Sequence, residues 1–128
     1  MSKTSRRRKR EGGPHLSEMR LRVMAEYGSS GIWVIEQVGP FRHGMISHVS
    51  LGLPQELARR FDQWINDYDA RLADMVPEYA HMEFDAEEFN RIGRALAREL
   101  KTLTGPEGYV EFLPELQDGG MGDAEVME

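Results

Sequence analysis

Residues 20–38, RLRVMAEYGSSGIWVIEQV, decide the fold of this 128-residue chain. Over residues 20–27, apolar side chains at the odd positions alternate with mostly charged side chains at the even positions. A period of two predicts a strand with one face on a core. Residues 32–38 are rich in β-branched and aromatic side chains and predict a second strand. Because only Gly-Ser-Ser-Gly separates the two runs, we expect a β-hairpin.

Two helical patterns follow the hairpin. The first begins at Pro54, which suits a first helical turn, and ends at Pro77. The second begins at Asp85, where Glu88 completes a capping box and Phe84 can pack on the helix, and it stops at Gly105. Their apolar stripes are Leu57, Phe61, Trp64, Ile65, Tyr68, Leu72 and Met75 in the first helix and Phe89, Ile92, Leu96, Leu100 and Leu103 in the second.

A third strand, YVEF, follows at residues 109–112 and completes the order β-β-α-α-β. The predicted fold class is α+β, with a three-stranded sheet covered on one face by a helical hairpin. The return path through the helices makes the third strand parallel to the first and antiparallel to the second. We place the first strand in the middle and the second at an edge. Met24, Val34 and one face of the third strand are expected on the uncovered face.

The charge is distributed unevenly along the chain, whose formal net charge is -6. Residues 1–18 carry six basic and two acidic side chains and are predicted to be a disordered basic arm. Residues 117–128 carry four acidic side chains and no basic one, and are predicted to be a flexible acidic tail. The predicted single domain, residues 19–116, therefore holds a net -6. This acidic body disfavours duplex nucleic acid and favours a basic protein as the partner.

The composition also bears on the compartment. The absence of cysteine excludes disulfides and thiolate sites and favours a reducing cytoplasm. No apolar run approaches the roughly 20 residues that span a bilayer, and no apolar segment follows the basic N-terminus. We therefore expect a cytoplasmic protein with neither a membrane span nor a signal peptide.

The residues with catalytic potential do not form a recognisable enzyme motif. The Gly-Ser-Ser-Gly segment lacks the Gly-x-Ser-x-Gly spacing of a nucleophile elbow and precedes a strand, so it is interpreted as a turn. His43, His48 and His81 do not have the spacing of a zinc site. The carboxylates of the first helix lie on its polar side, which is typical of a solvated face. We predict no enzyme activity, no metal and no cofactor.

Four segments together resemble a group of short bacterial α+β proteins without an assigned activity: RLRVMAEYGSSGIW, LPQELARRFDQWINDYDA, FNRIGRALARELKTLTGP and YVEF. The likeness covers roughly residues 20 to 115. As a small acidic α+β protein without a catalytic signature, the chain also resembles in type the immunity proteins of bacterial toxin systems, including those of contact-dependent inhibition. This resemblance implies a non-enzymatic module that neutralises a basic toxin domain by direct binding and occlusion.

The candidate toxin-binding patch lies on the hairpin and the loop after it. It comprises Glu26, Tyr27, Trp33, Glu36, Arg42 and His43. The alternative for Tyr27 and Trp33 is a place in the hydrophobic core.

Two other functions stay open. A nucleic-acid-associated accessory protein would use a basic block in the arm and a stripe on the second helix. The block is Arg6, Arg7, Arg8, Lys9 and Arg10, and the stripe is Arg91, Arg94, Arg98 and Lys101. A small enzyme would use His43 or His48.

Overall fold

The computed structural model describes residues 16–70, 84–117 and 120–128. Its elements are a 3₁₀ turn at Leu16–Glu18, β1 (Arg20–Val23), β2 (Ile32–Val34), β3 (Gly44–Met45), α1 (His48–Leu51), α2 (Gln55–Asp69), α3 (Ala86–Thr104), β4 (Tyr109–Phe112) and β5 (Glu125–Val126). The strands form one mixed sheet in the order β3-β2-β1-β4-β5. The predicted α+β class is confirmed.

The predicted hairpin and crossover are present at the centre of this sheet. β1 pairs antiparallel with β2, and Leu21 lies opposite Val34. β1 pairs parallel with β4, and the same Leu21 lies opposite Val110. All three side chains are buried, because residues in register point to the same face of a sheet. Two predictions are therefore confirmed: the first strand, β1, is central, and the predicted third strand, which is β4, is parallel to it.

The sheet differs from the prediction in having five strands instead of three. β3 pairs with β2 on its outer side, so the prediction that the second strand lies at an edge is wrong. β5 pairs with β4 and lies within residues 117–128, the predicted flexible tail. Each added strand has only two residues, which is too short to show a period. Backbone bonds fix them, such as the one from Ile46 N to Ile32 O (3.1 Å) and the one from Met127 N to Val110 O (2.8 Å).

The two long helices have the predicted apolar faces. The Trp64 ring of α2 stacks on the Phe89 ring of α3, with centroids 4.7 Å apart, and its Nε1 donates to Phe89 O at 3.0 Å. Gly93 lets α3 approach closely, because a Cβ at this position would lie 2.5 Å from Trp64 Cζ2 and 2.7 Å from Phe112 Cε1. α3 therefore lies over β4, with α2 beside it, on the face of the sheet that carries Phe112.

The helix ends agree in part with the predicted ones. Asp85 caps α3 by accepting from Glu88 N at 3.1 Å, and the Phe84 and Phe89 rings lie 5.2 Å apart, as predicted. α2 ends at Asp69, and the predicted continuation through Leu72 and Met75 to Pro77 lies outside the described residues. Within the ranges that the structure describes, no helix combines the length and the apolar character that a bilayer crossing requires.

Candidate functional site

One face of the sheet is not covered by any of the described helices, and a row of five side chains crosses it. The strand register places Met45, Trp33, Arg22, Glu111 and Val126 side by side, one from each strand. We call these residues the open-face row. Met45 and Val126, at the two ends, are 54% and 52% exposed. The open face is therefore apolar at its edges and charged in the middle.

The charged middle of the row is an ordered network around a buried carboxylate. Glu111 is only 6% exposed. It accepts a hydrogen bond from Arg22 Nε at 2.5 Å and another from the Tyr109 hydroxyl at 2.7 Å. The hydroxyl's bond to this carboxylate raises the pKa of Tyr109, and burial adds to the effect. Two donors thus compensate the desolvated charge, as a buried carboxylate requires.

A second cation extends the network on the same face. The Arg20 guanidinium carbon lies 4.2 Å from the centre of the Tyr109 ring, within the range of a cation–π contact. Its Nε lies 3.5 Å from the Glu36 carboxylate. The two arginines and two glutamates of this network therefore balance one another's charge, although the domain as a whole is acidic.

A pocket of about 320 Å³ lies beside Arg22, and we call it the open-face pocket. Its lining residues are Arg22, Met24, Trp33, Val34, Ile35, His43 and Gly44. Trp33 is half-buried, and its Nε1 donates to Met24 O at 3.0 Å, which fixes the indole as one wall. His43 is exposed. The arrangement combines an aromatic wall, a thioether, a guanidinium and an imidazole, the chemistry of a binding pocket.

The structure brings part of the predicted patch together. Trp33 and His43 share the open-face pocket, and Glu36 lies on the same face against Arg20. Arg42 is exposed beside His43 in the chain.

The rest of the predicted patch lies elsewhere. Tyr27 is half-buried, and its ring lies 4.6 Å from that of Tyr68 on α2, at the margin of the core. Glu26 is exposed in the turn after β1. The two aromatic residues thus have different places, since Trp33 belongs to the open face and Tyr27 packs against the core.

The sequence-based prediction of this face missed three of its residues. It also assigned to this face a fourth residue that belongs to the core. Arg22, Tyr109 and Glu111 build the network, but sequence reasoning did not select them. In the sequence, these residues were recognisable only as polar positions within predicted strands. Val34 was expected on the open face, but it is 1% exposed and belongs to the core, although the residue also borders the open-face pocket. Met24 does line the pocket as expected.

The serines of the hairpin turn and the histidine of α1 make structural contacts. Ser30 Oγ donates to Ile46 O at 2.6 Å and accepts from Ile32 N at 3.2 Å, so it connects the turn to the residue that follows β3. His48 Nε2 lies 2.8 Å from Ser30 O. No group of three metal-binding side chains occurs in the described part of the chain, and His81 lies outside that part.

The basic stripe of α3 is largely occupied by partners. Arg91 pairs with Glu88, and Arg94 pairs with Glu125. Lys101 Nζ donates to Gly108 O at 2.6 Å. The basic block of the predicted arm lies outside the described residues; it is Arg6, Arg7, Arg8, Lys9 and Arg10.

Comparison with known proteins identifies the family. A family model described as Serratia CdiI immunity protein-like matches residues 19–115, which include β1 to β4 and the whole open-face pocket. No curated protein matches the chain. The resemblance to contact-dependent inhibition immunity proteins is confirmed. The match covers well over half of the 128-residue chain, and the chain therefore belongs to the Serratia CdiI immunity protein-like family.

Proposed function

We propose that this protein is a non-enzymatic immunity protein that neutralises a cognate bacterial toxin by direct binding and occlusion. The family match over residues 19–115 carries the proposal. A cytoplasmic site of action accords with a chain that contains no cysteine and so does not depend on an oxidising compartment.

We assign toxin contact to the open face around the open-face pocket, with Trp33, Glu36, Arg42 and His43 as contact residues. Tryptophan and arginine dominate the energetics of protein interfaces, above all beside pockets from which water is excluded. The exposed Met45 extends the apolar surface next to Trp33. Glu26 and Tyr27 lie at the turn end of the hairpin, away from the open-face pocket, and are placed outside the central contact.

The charge distribution gives each part of the surface its own role in binding. The net -6 of residues 19–116 attracts a basic toxin domain over a long range and raises the rate of encounter. The Arg20–Glu36 and Arg22–Glu111 pairs are each neutral overall, so this part of the open face supplies contacts of short range that fix the orientation. Binding there would block the toxin by steric and electrostatic occlusion.

The test is complex formation with the product of the adjacent toxin-like reading frame. Size-exclusion chromatography at micromolar concentration should show a complex. Met45→Ala should weaken it by about tenfold, because the substitution removes apolar area at the interface. Val49→Ala is the matched control, since Val49 is 90% exposed on α1 and lies outside the open-face row. Failure of the wild-type protein to form a complex would overturn the proposal.

A further inference from the structure

Arg22 carries hydrogen-bond donors at the open-face pocket that no described residue accepts. Its Nε is bound to Glu111, while its two terminal amino groups have no hydrogen-bond partner among residues 16–70, 84–117 and 120–128. The side chain is 36% exposed and lines the pocket. A guanidinium presents its donors as a planar fork that matches the two oxygens of a carboxylate. The pocket therefore carries a donor pair that suits a carboxylate.

The fork is oriented before any ligand arrives. Glu111 fixes Arg22 at Nε, and the Tyr109 hydroxyl in turn fixes Glu111. The bond from Trp33 Nε1 to Met24 O holds the apolar wall in place. Because these side chains are already ordered, binding loses less conformational entropy than it would at a mobile arginine.

We propose that the open-face pocket receives one aspartate or glutamate side chain of the toxin. The terminal amino groups of Arg22 bind its carboxylate, and Trp33 and Met24 pack against its methylene groups. His43 lies at the exposed rim. This proposal rests on the proposed function and adds to it the chemistry of one anchoring residue.

Size and charge favour a protein carboxylate over a nucleic-acid phosphate. A volume of about 320 Å³ is at the lower end of ligand pockets and suits a single side chain. The net -6 of the domain repels a polyanion but tolerates one acidic residue on a basic surface. Such an anchor also supplies specificity, since an immunity protein without this arginine would leave the toxin's carboxylate buried and unpaired.

A toxin-independent experiment tests the pocket on the wild-type protein. The peptides acetyl-Leu-Glu-Leu-amide and acetyl-Leu-Gln-Leu-amide are titrated while the two tryptophan indole N–H signals are followed by NMR. The Trp33 signal should shift saturably with the glutamate peptide. Half-saturation should occur at about tenfold lower concentration than with the glutamine peptide, because a charge-assisted hydrogen bond contributes free energy of that order. Trp64, whose indole is bonded inside the core, is the internal control and should not shift. Equal responses to both peptides, or no response of Trp33, would overturn the proposal.

Variants then connect the pocket to the toxin. Arg22→Gln should abolish the preference for glutamate and weaken toxin binding by about 10–100-fold. Arg98→Gln, an exposed position on α3, is the matched control and should bind like the wild type. If both variants bind toxin equally well, the pocket proposal fails while the proposed function stands. If the wild type binds the glutamate peptide but no toxin, the proposed function fails. The assignment of the carboxylate to a toxin side chain then fails with it.

Discussion

The close approach at Gly93 makes a sharp prediction about stability. A Cβ at this position would lie 2.5 Å from Trp64 Cζ2 and 2.7 Å from Phe112 Cε1, whereas carbon atoms pack at about 3.5–4 Å. Both rings are at most 1% exposed, so neither can move into solvent. Gly93→Ala must therefore displace a ring or the helix by about 1 Å. Such overpacking costs about 1–3 kcal/mol.

Helix propensity acts in the opposite direction at this position. Replacing glycine by alanine inside a helix gains about 1 kcal/mol. Since two rings lie within 3 Å, we take the upper end of the packing cost, which leaves a net loss of about 2 kcal/mol. Urea denaturation followed by circular dichroism should show a lower midpoint with an unchanged slope.

The matched control is an alanine-to-glycine substitution on the same helix, α3. Ala95 is exposed, so Ala95→Gly should cost only the propensity difference of about 1 kcal/mol. Propensity alone therefore sets the sign for Ala95→Gly, whereas packing and propensity have opposite signs for Gly93→Ala. A Gly93→Ala protein as stable as the wild type, or more stable, would refute the packing argument.

Three further predictions concern the rest of the chain. Asn90→Ala should destabilise by about 1–3 kcal/mol in urea, because this amide pairs with both backbone groups of Glu115. The hydrogen bond from Arg94 lowers the pKa of Glu125 below its ordinary value of 4.5. This pair therefore stabilises the protein above pH 4.5, by at most about 1 kcal/mol, and the gain is lost as pH falls through the lowered pKa. In melting curves recorded at different pH values, Glu125→Gln should therefore lose less stability on acidification than the wild type. A larger loss would contradict the role of this pair. If the basic arm binds nucleic acid, deletion of residues 1–11 should reduce salt-sensitive retention on DNA, and unchanged retention would count against the arm.

Local patterns predicted the elements whose signals lie within a few residues. The alternation over residues 20–27 predicted β1, and the capping box at Asp85 predicted the start of α3. The crossover through two helices was enough to predict that β4 is parallel to β1. These features depend on neighbours in the chain, so sequence reasoning could reach them.

Other features depend on partners that are distant in the chain. The run Ile-Trp-Val-Ile has no alternation, so only the pairing of Leu21 with Val34 decides that Trp33 faces outward. The Arg22–Glu111 pair is formed across 89 positions and requires the register of β1 on β4. The predicted patch therefore contained two residues of the pocket, Trp33 and His43, and Met24 was expected on the same face, but the arginine that gives the pocket its charge was missed.

The parallel pairing of β1 with β4 has a consequence for the time course of synthesis. At about 5–20 residues per second, the 89 positions between Arg22 and Glu111 take roughly 5–20 s to translate. Throughout this interval β1 has one unpaired edge, which is exposed to misassociation. The nascent chain can complete neither its sheet nor its Arg22–Glu111 network before β4 is made. For a protein proposed to neutralise a toxin, this interval sets a minimum lag between the start of translation and protection.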